Sequence, residues 1–458
     1  MAVDFTNSQL TKHMKQIKTV NDVYDGVDTA KKYIVQMPQE EDNTFFTRTE
    51  NATLKNYVQR SIEAMVGMVY RKPISTVGYS DEMLDIFNNV DLNSTLNQFS
   101  RKITDSAIRN GIAYILVDNS EKVNRPYWML IERLDLINWK KDLEGNFTQA
   151  VIREYTDTPL DEFETESVEQ FRVYDDKGNI TIYRSSGNSG FEVVDVIDTG
   201  LDYIPLVEVK INDIPPMYDI AKLNIKHMNR TSVKDRYLDM AACPVPVIWG
   251  ANVDDDGYNE TSKPALIIGV DEAFIFNGTK DEADFQWREL SGSSIDKLQE
   301  DLSVIEDEIT TGVIRASSAD TTTMKTATQS YYEASEAANR VTVIANILDF
   351  ALNKASFITQ DYISDTASEP VAVIKVNKDY IAMGGNSDDS RVLMEAYLNG
   401  VISYDTFIQS LNKMEITDIP SIEEEIYMIE NSKFKPQSLV NNTDTDKNKD
   451  NRLVSVEE

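Results

Sequence analysis

The chain has 458 residues, 41% hydrophobic and 27% charged, enough for two or three domains with cores of their own. Its 45 Lys and Arg stand against 77 Asp and Glu, a formal charge of −32, which excludes a surface built to grip phosphates. The single cysteine, Cys243, excludes an intramolecular disulfide framework or a thiolate metal cluster and reads as a small buried hydrophobe.

No stretch reaches the ~18–20 uncharged apolar residues of a membrane helix. The N-terminus, MAVDFTNSQLTKHMKQ, lacks the apolar core of a secretory signal, so a reducing cytoplasm is the expected place of synthesis. The first 45 residues are mixed and polar and predict a short helix and an extended arm. Residues 51–72 predict an amphipathic helix on Leu54, Tyr57, Val58, Ile62, Met65, Val66 and Val69, ended by Pro73. A second helix fits 94–110, and GIAYILVD after it is a β-branched run typical of a buried strand. Strand-like segments follow at 127–139, 147–155 and 168–183. The last is a hairpin, VEQFRVY and ITIY joined by DDKGN, whose Asp, Gly and Asn supply the turn conformations. EVVDVIDTG and IPLVEVKI add two strands, so the chain to residue 211 predicts one α+β domain.

Pro215 and Pro216 punctuate, and a helix runs from about 217 to 241. Lys222, Lys226, Arg230 and Lys234 recur on it at intervals of four, drifting slowly around one side. Residues 244–292 return to strand and turn. The helix 293–311 then carries Ile295, Leu298, Leu302, Ile305 and Ile309 as one narrow stripe. Its remaining surface is acid: Asp296, Glu300, Asp301, Glu306, Asp307 and Glu308 against the single Lys297, with Gly312 to stop it. The cationic row on the preceding helix has two readings, as partners for these acids or as a line of cations that phosphates pass.

Residues 316–325, ASSADTTTMK, form a small polar loop. A very long helix follows at 326–357, with Tyr331, Ala334, Ala338, Val341, Ala345, Leu348, Leu352 and Ala355 in heptad order over ~48 Å. The two stripes are expected to need cover from a second copy, with Leu298, Leu302, Ile305, Leu348 and Leu352 in the packing seam. VAVIKVN predicts a strand, and shorter helices are expected near 389–399, 403–413 and 420–431. The tail from 441 lacks core-forming residues and is expected to be disordered.

Little here points to catalysis. There are two histidines, His13 and His227, and no nucleophile elbow, phosphate-binding loop or dinucleotide turn accompanies them. His227 lies on a helix and reads as a packed or hydrogen-bonded residue. Asn252, Asp254, Asp256 and Gly257 match the start of a calcium loop, but Lys263 stands where the bidentate Glu belongs, so an acidic surface turn is the better reading. No metal ligand set or cofactor site is expected.

The order of parts, and several blocks within it, resemble a tailed-bacteriophage portal protein. The blocks are NATLKNYVQRSIEAMVGMVYRKPI, RNGIAYILVD, IERLDLINW, GLDYIPLVEVKI, IAKLNIKHMNRTSVKDRYLDMAACPVPVIWG, IIGVDEAFIF and TATQSYYEASEAANRVTVIANILDFALNKA, in the family's order over roughly residues 45–357. EAYLNGVISYDTFIQSLNKMEI is similar to the short helices that follow in portals. The acidic tail and the N-terminal arm depart from the pattern.

The resemblance implies a portal-like α+β fold with an α/β wing at 46–216 after an arm at 1–45. Stem helices would lie at 217–243 and 293–311 around a clip at 244–292. A tunnel loop would follow at 312–325, a long wing helix at 326–357, a crown-like region at 358–430 and an acidic tail at 431–458. It implies a non-enzymatic ring, usually of twelve subunits, at one capsid vertex of the virion, assembled in the host cytoplasm. Implied partners are double-stranded DNA, the terminase large subunit, a head–tail adaptor or connector, and the major capsid or scaffolding protein. In this frame Arg315, Ser317, Ser318, Thr321, Thr322, Thr323 and Lys325 are candidate channel-facing residues, and the acidity suits a wall past which DNA slides. Another ring-forming virion connector, or a hydrolase or nuclease on the α+β domain, stays open.

Overall fold

A computed structural model describes residues 3–38, 40–120, 125–159, 161, 163–185, 190–242, 245–249, 284–288, 293–310, 327–364, 368, 371–378, 387–413, 417 and 426. The loop candidates Arg315 to Lys325, Cys243, the 252–257 turn, nearly all of 420–431 and the tail lie outside these residues. So do the side chains of Tyr331, Ala334 and Ala338. The chain divides into two compact units, Met1–Lys378 and Asp379–Glu458.

The first unit opens with α1 (Ser8–Tyr24), α2 (Val27–Ala30), a single 3-10 turn and α3 (Asp42–Glu50). The expectation of a short helix and an extended arm is corrected here. Asn7 caps α1 by accepting from the Gln9 N–H, and Leu10, Ile17, Val20 and Val23 bury one face over 17 residues. α4 (Tyr57–Val69) begins at the Asn56 cap rather than at residue 51. β1 (Ser75–Val77) and α5 (Asp81–Asn88, capped by Ser80) follow, α5 being an element the sequence reading lacks. α6 (Leu96–Asn110) starts on a Thr95–Gln98 capping box and stops at Gly111. At φ +82° a Cβ on Gly111 would lie 2.5 Å from the Asn212 carbonyl oxygen, so only glycine fits this close approach.

The strands form two main antiparallel sheets. β2 (Ile112–Ser120) sits between β3 (Arg125–Ile131) and β9 (Leu206–Lys210). β4 (Leu136–Lys141), β5 (Phe147–Pro159), β6 (Thr165–Tyr174), β7 (Ile180–Ser185) and β8 (Phe191–Ile197) make a five-stranded meander. The expected strand 127–139 is thus two strands in different sheets, broken at the Glu132–Asp135 turn. The 168–183 hairpin forms as read: Asp175 accepts from the Lys177 and Asn179 N–H groups, and Gly178 takes φ +78°. Between the sheets lie Tyr114, Leu116, Leu136, Ile152, Tyr174 and Leu206, all buried.

α7 (Tyr218–Ala242) runs out of this body. β10 (Val245–Trp249) and β11 (Asp284–Arg288) pair antiparallel, and α8 (Ser293–Ile309) returns. α9 (Ala327–Ile363) is 37 residues, ~56 Å, longer than expected at its C-terminal end. It packs across β2, β3 and β9. Trp128 Nε1 donates to Thr359 Oγ1 at 2.8 Å and meets Phe87 and Phe99 edge-on. Asn353 holds β12 (Val373–Lys375) by donating to the Ile374 oxygen and accepting from its N–H, both at 2.8 Å. β12 in turn pairs antiparallel with β1. The second unit contains α10 (Ser387–Leu398) and α11 (Tyr404–Lys413), where Tyr397 stacks on Phe407.

Residues Val341–Ile363 are long and apolar enough, by length and composition alone, to cross a membrane. Asp349, Lys354 and Asp361 interrupt them, so the reading that no uncharged span of that length occurs is unchanged. A different cause accounts for the apolarity: this helix has two apolar sides. Val341, Ala345, Leu348, Leu352, Ala355 and Ile358 are buried against the sheet. Val343, Phe350 and Phe357, at intervals of seven, are 58%, 71% and 56% exposed. A groove of about 420 Å³ runs beside them, lined by Glu208, Lys210, Val343, Asn346, Ile347 and Phe350.

Candidate functional site

The acidic helix and its neighbour form an antiparallel hairpin whose polar pairs run in opposite order along the two helices. His227 meets Glu306, Arg230 Nε lies 3.1 Å from Asp301, and Lys234 Nζ donates to Gln299 at 3.0 Å. Leu302, Ile305 and Ile309 are buried and Leu298 is half-buried, so one chain covers the α8 stripe by itself. The same holds for Leu348 and Leu352 on α9, both fully buried. The expectation that these leucines wait for a neighbouring subunit is therefore corrected. On α9 the apolar side left exposed among the described residues is the Val343–Phe350–Phe357 stripe, which the heptad on the other side of the helix obscures in the sequence.

The acids of α8 divide into two groups. At about 100° per residue, Asp296, Glu300 and Asp307 fall within about 40° of one another, opposite the buried seam. All three are exposed, as is Glu308. Asp301 is tied to Arg230. Glu306 is half-buried at the edge of the solvent face, because on the wheel it stands about 40° from Leu302 and so borders the seam.

Glu306 is the centre of a polar node that joins three helices. Its carboxylate accepts from Lys55 Nζ at 2.8 Å and lies 2.9 Å from His227 Nε2, and the Tyr57 hydroxyl also donates to it. Burial opposes its ionisation, but the Lys55, His227 and Tyr57 hydrogen bonds outweigh that and hold its pKa down to about 2. Burial lowers the pKa of His227 against the pull of Glu306, and burial with the Glu306 hydrogen bond raises that of Tyr57. The Tyr57 and His227 rings meet edge-on at 5.5 Å. His227 is thus a packed, hydrogen-bonded residue.

Two further ties fix α7 to the N-terminal helices. Asn224 Oδ1 accepts from the Tyr57 N–H at 2.9 Å, capping α4, while its amide donates to the Lys55 oxygen at 2.9 Å. Arg48 and Glu40, both almost fully buried, form a paired fork with contacts of 2.9 and 2.8 Å. Arg48 also donates to Ser232 Oγ on α7 at 2.9 Å, and Arg236 reaches Glu40 at 2.8 Å. The Arg48 hydrogen bonds overcome burial and set the Glu40 pKa to about 2.

The cationic row is split. Arg230 and Lys234 face α8, as the pairing reading expects, whereas Lys222 and Lys226 are exposed and make no ion pair among the described residues. No group of three or more metal-ligating side chains occurs among the described residues. What the hairpin offers chemically is a rigid rod with one negative face.

Residues 216–363, which span α7 to α9, match a family described as a domain of unknown function, DUF4055. No curated protein matches the chain. Among solved structures, a chain of the neck of a native gene transfer agent (GTA) particle with C12 symmetry is 13% identical, with a TM-score of 0.42. The match covers 78% of this chain and 89% of that one. A chain of the empty particle's neck with C6 symmetry is also 13% identical at 0.42, covering 79% and 90%. A chain of the virion of the native particle is 13% identical at 0.40, covering 82% and 94%.

Proposed function

We propose that the chain is the subunit of a phage-type portal, a non-enzymatic ring at one vertex of a capsid. DNA would be driven in through it by a terminase motor and would later leave by the same route. In this reading residues 46–216 are the wing, α7 and α8 the stem, 244–292 the clip that meets the motor and then the head–tail adaptor, and 312–325 the tunnel loop. Residues 326–357 are the wing helix and 358–430 a crown-like end that contacts capsid or scaffold. The observation that carries the reading is the α8 surface: Asp296, Glu300 and Asp307 aligned opposite a seam that one chain closes. A rod so built can stand in a ring wall with its acids toward the lumen. Phosphates release no counterions to an acidic wall and do not adhere, so the duplex slides.

Ring closure is supported by the exposed α9 stripe, which leaves Val343, Phe350 and Phe357 for a neighbouring copy. Arg315, Ser317, Ser318, Thr321 to Thr323 and Lys325 then supply weak, exchangeable contacts where the lumen is narrowest. Electron microscopy of the purified protein tests the proposal, with rings around a central hole as the expected image. A monomer at micromolar concentration and moderate salt, by sedimentation, refutes it. Replacing 316–325 with Gly and Ser is expected to leave rings intact and shorten the packaged DNA.

A further inference from the structure

The five-stranded sheet treats its two edges differently. At the β4 edge the segment before α1 closes the backbone: the Asn7 N–H donates to the Ile137 oxygen at 2.8 Å, and the Asn7 amide reaches the Trp139 oxygen at 3.3 Å. At the other edge β8 pairs with β7 and with no further strand among the described residues. β8 is also the strand with its apolar side chains in water: Val193, Val194, Val196 and Ile197 are 55%, 51%, 65% and 39% exposed. A register shift between Ile182 and Tyr183 leaves Val194 as the extra residue of a bulge. Exposed edges normally carry charge or proline in place of such valines.

We infer that β8 is a docking edge that takes an extended strand from a different, basic protein. The occupant is set by charge. β8 and the turn after it bring Asp195, Asp198 and Asp202, within a chain of net charge −32. A second copy would bring a second set of the same acids to this edge, and that like charge disfavours self-pairing. A strand alternating Val or Ile with Lys or Arg satisfies the edge backbone, covers the valines and neutralises the acids at once. The inference stands apart from the portal reading, because it concerns a surface that neither α8 nor α9 forms.

The test uses the full chain and two synthetic peptides, KVTVKVTK and EVTVEVTE, with hydrogen exchange read along the sequence. The basic peptide is expected to slow exchange of the 191–197 amides at least tenfold, and the acidic one to leave them unchanged. Val194→Pro, at the bulge, is expected to abolish that protection while the exchange of β5 and β6 stays as in the wild type. Equal protection by both peptides, protection by neither, or slow exchange in the chain alone of the outward-facing 191–197 amides, those not bonded to β7, would overturn the inference. The last result would mean that a second copy already covers the edge.

Discussion

Phe350 and Leu348 stand two residues apart on α9, and substituting each with Asp separates assembly from folding. Phe350 is 71% exposed, so Asp there costs the isolated chain little. In a ring that buries the stripe, the loss is most of a phenylalanine's transfer energy, about 1–2 kcal/mol. Placing a carboxylate in an apolar contact costs about 1–2 kcal/mol more. The sum, about 3 kcal/mol per interface, is expected to raise the concentration for half-assembly about 100-fold. Leu348 is 0% exposed, and Asp there introduces both a cavity and a buried charge, worth about 4 kcal/mol or more, against the chain's own fold. Circular dichroism melts and sedimentation velocity on the two variants make the comparison. Phe350→Asp should still melt cooperatively, as a folded monomer does, and sediment as a monomer, and Leu348→Asp should fail to melt cooperatively. Rings of Phe350→Asp at wild-type concentrations would refute the stripe as an interface.

Three other outcomes follow, two from the polar ties and one from the Gly111 turn. Glu306 has its pKa depressed, so its stabilisation is complete above the ordinary carboxylate range and is lost as pH falls toward about 2. His227 is depressed below its ordinary value, so protonation below that value destabilises the hairpin in the same direction, and hydrogen exchange of α7 and α8 should rise on acidification. Glu306→Gln should flatten the carboxylate part of that profile while the His227 part persists. Glu40→Ala leaves the Arg48 guanidinium buried with one partner removed, a loss of about 3–5 kcal/mol seen as faster exchange in α3; the double replacement of Glu40 and Arg48 by Met should recover much of it. Gly111→Ala should cost about 1 kcal/mol or more in a thermal melt, because a left-handed backbone and a 2.5 Å contact both oppose it.

Legibility followed the strength of local signals. The α8 stripe and the DDKGN hairpin could be read because period and turn chemistry agree over many residues. Glu306 was miscounted among solvent-facing acids, although its wheel position beside Leu302 was available as a signal. Nothing local announces Lys55 or Tyr57 as its partners, because they lie more than 240 positions away. Glu40 lies within the polar first 45 residues and Arg48 just beyond them, and no sequence signal marks their pairing, since burial of an ion pair is decided by what folds over it. α1 was underestimated for the opposite reason: its lysines dilute an apolar face that is sound at Leu10, Ile17, Val20 and Val23. The strand 127–139 was read as continuous because both halves are apolar, and only the tertiary course of the chain assigns them to different sheets.

The ties to α7 are not spread evenly. Asn224, His227, Asn229, Ser232 and Arg236 bond to residues of the N-terminal helices, their connecting segments or α8. Beyond them Tyr237 and Leu238 are 40% and 43% exposed. The hairpin is therefore clamped over about its first five turns and projects beyond them, continuing into the β10–β11 ribbon. In the proposed ring a clamp at that end fixes the tilt of each rod, and tilt sets lumen width. The projecting end gains lateral support from neighbouring rods alone, with Tyr237 and Leu238 as the contact. Tyr237→Ser with Leu238→Ser should leave the monomer's melt unchanged, since neither side chain is buried in one chain. It should also speed hydrogen exchange of residues 238–242 in assembled rings but not in monomers. Equal exchange in the two states would show that the rods do not touch there, and the stem assignment would fall with it.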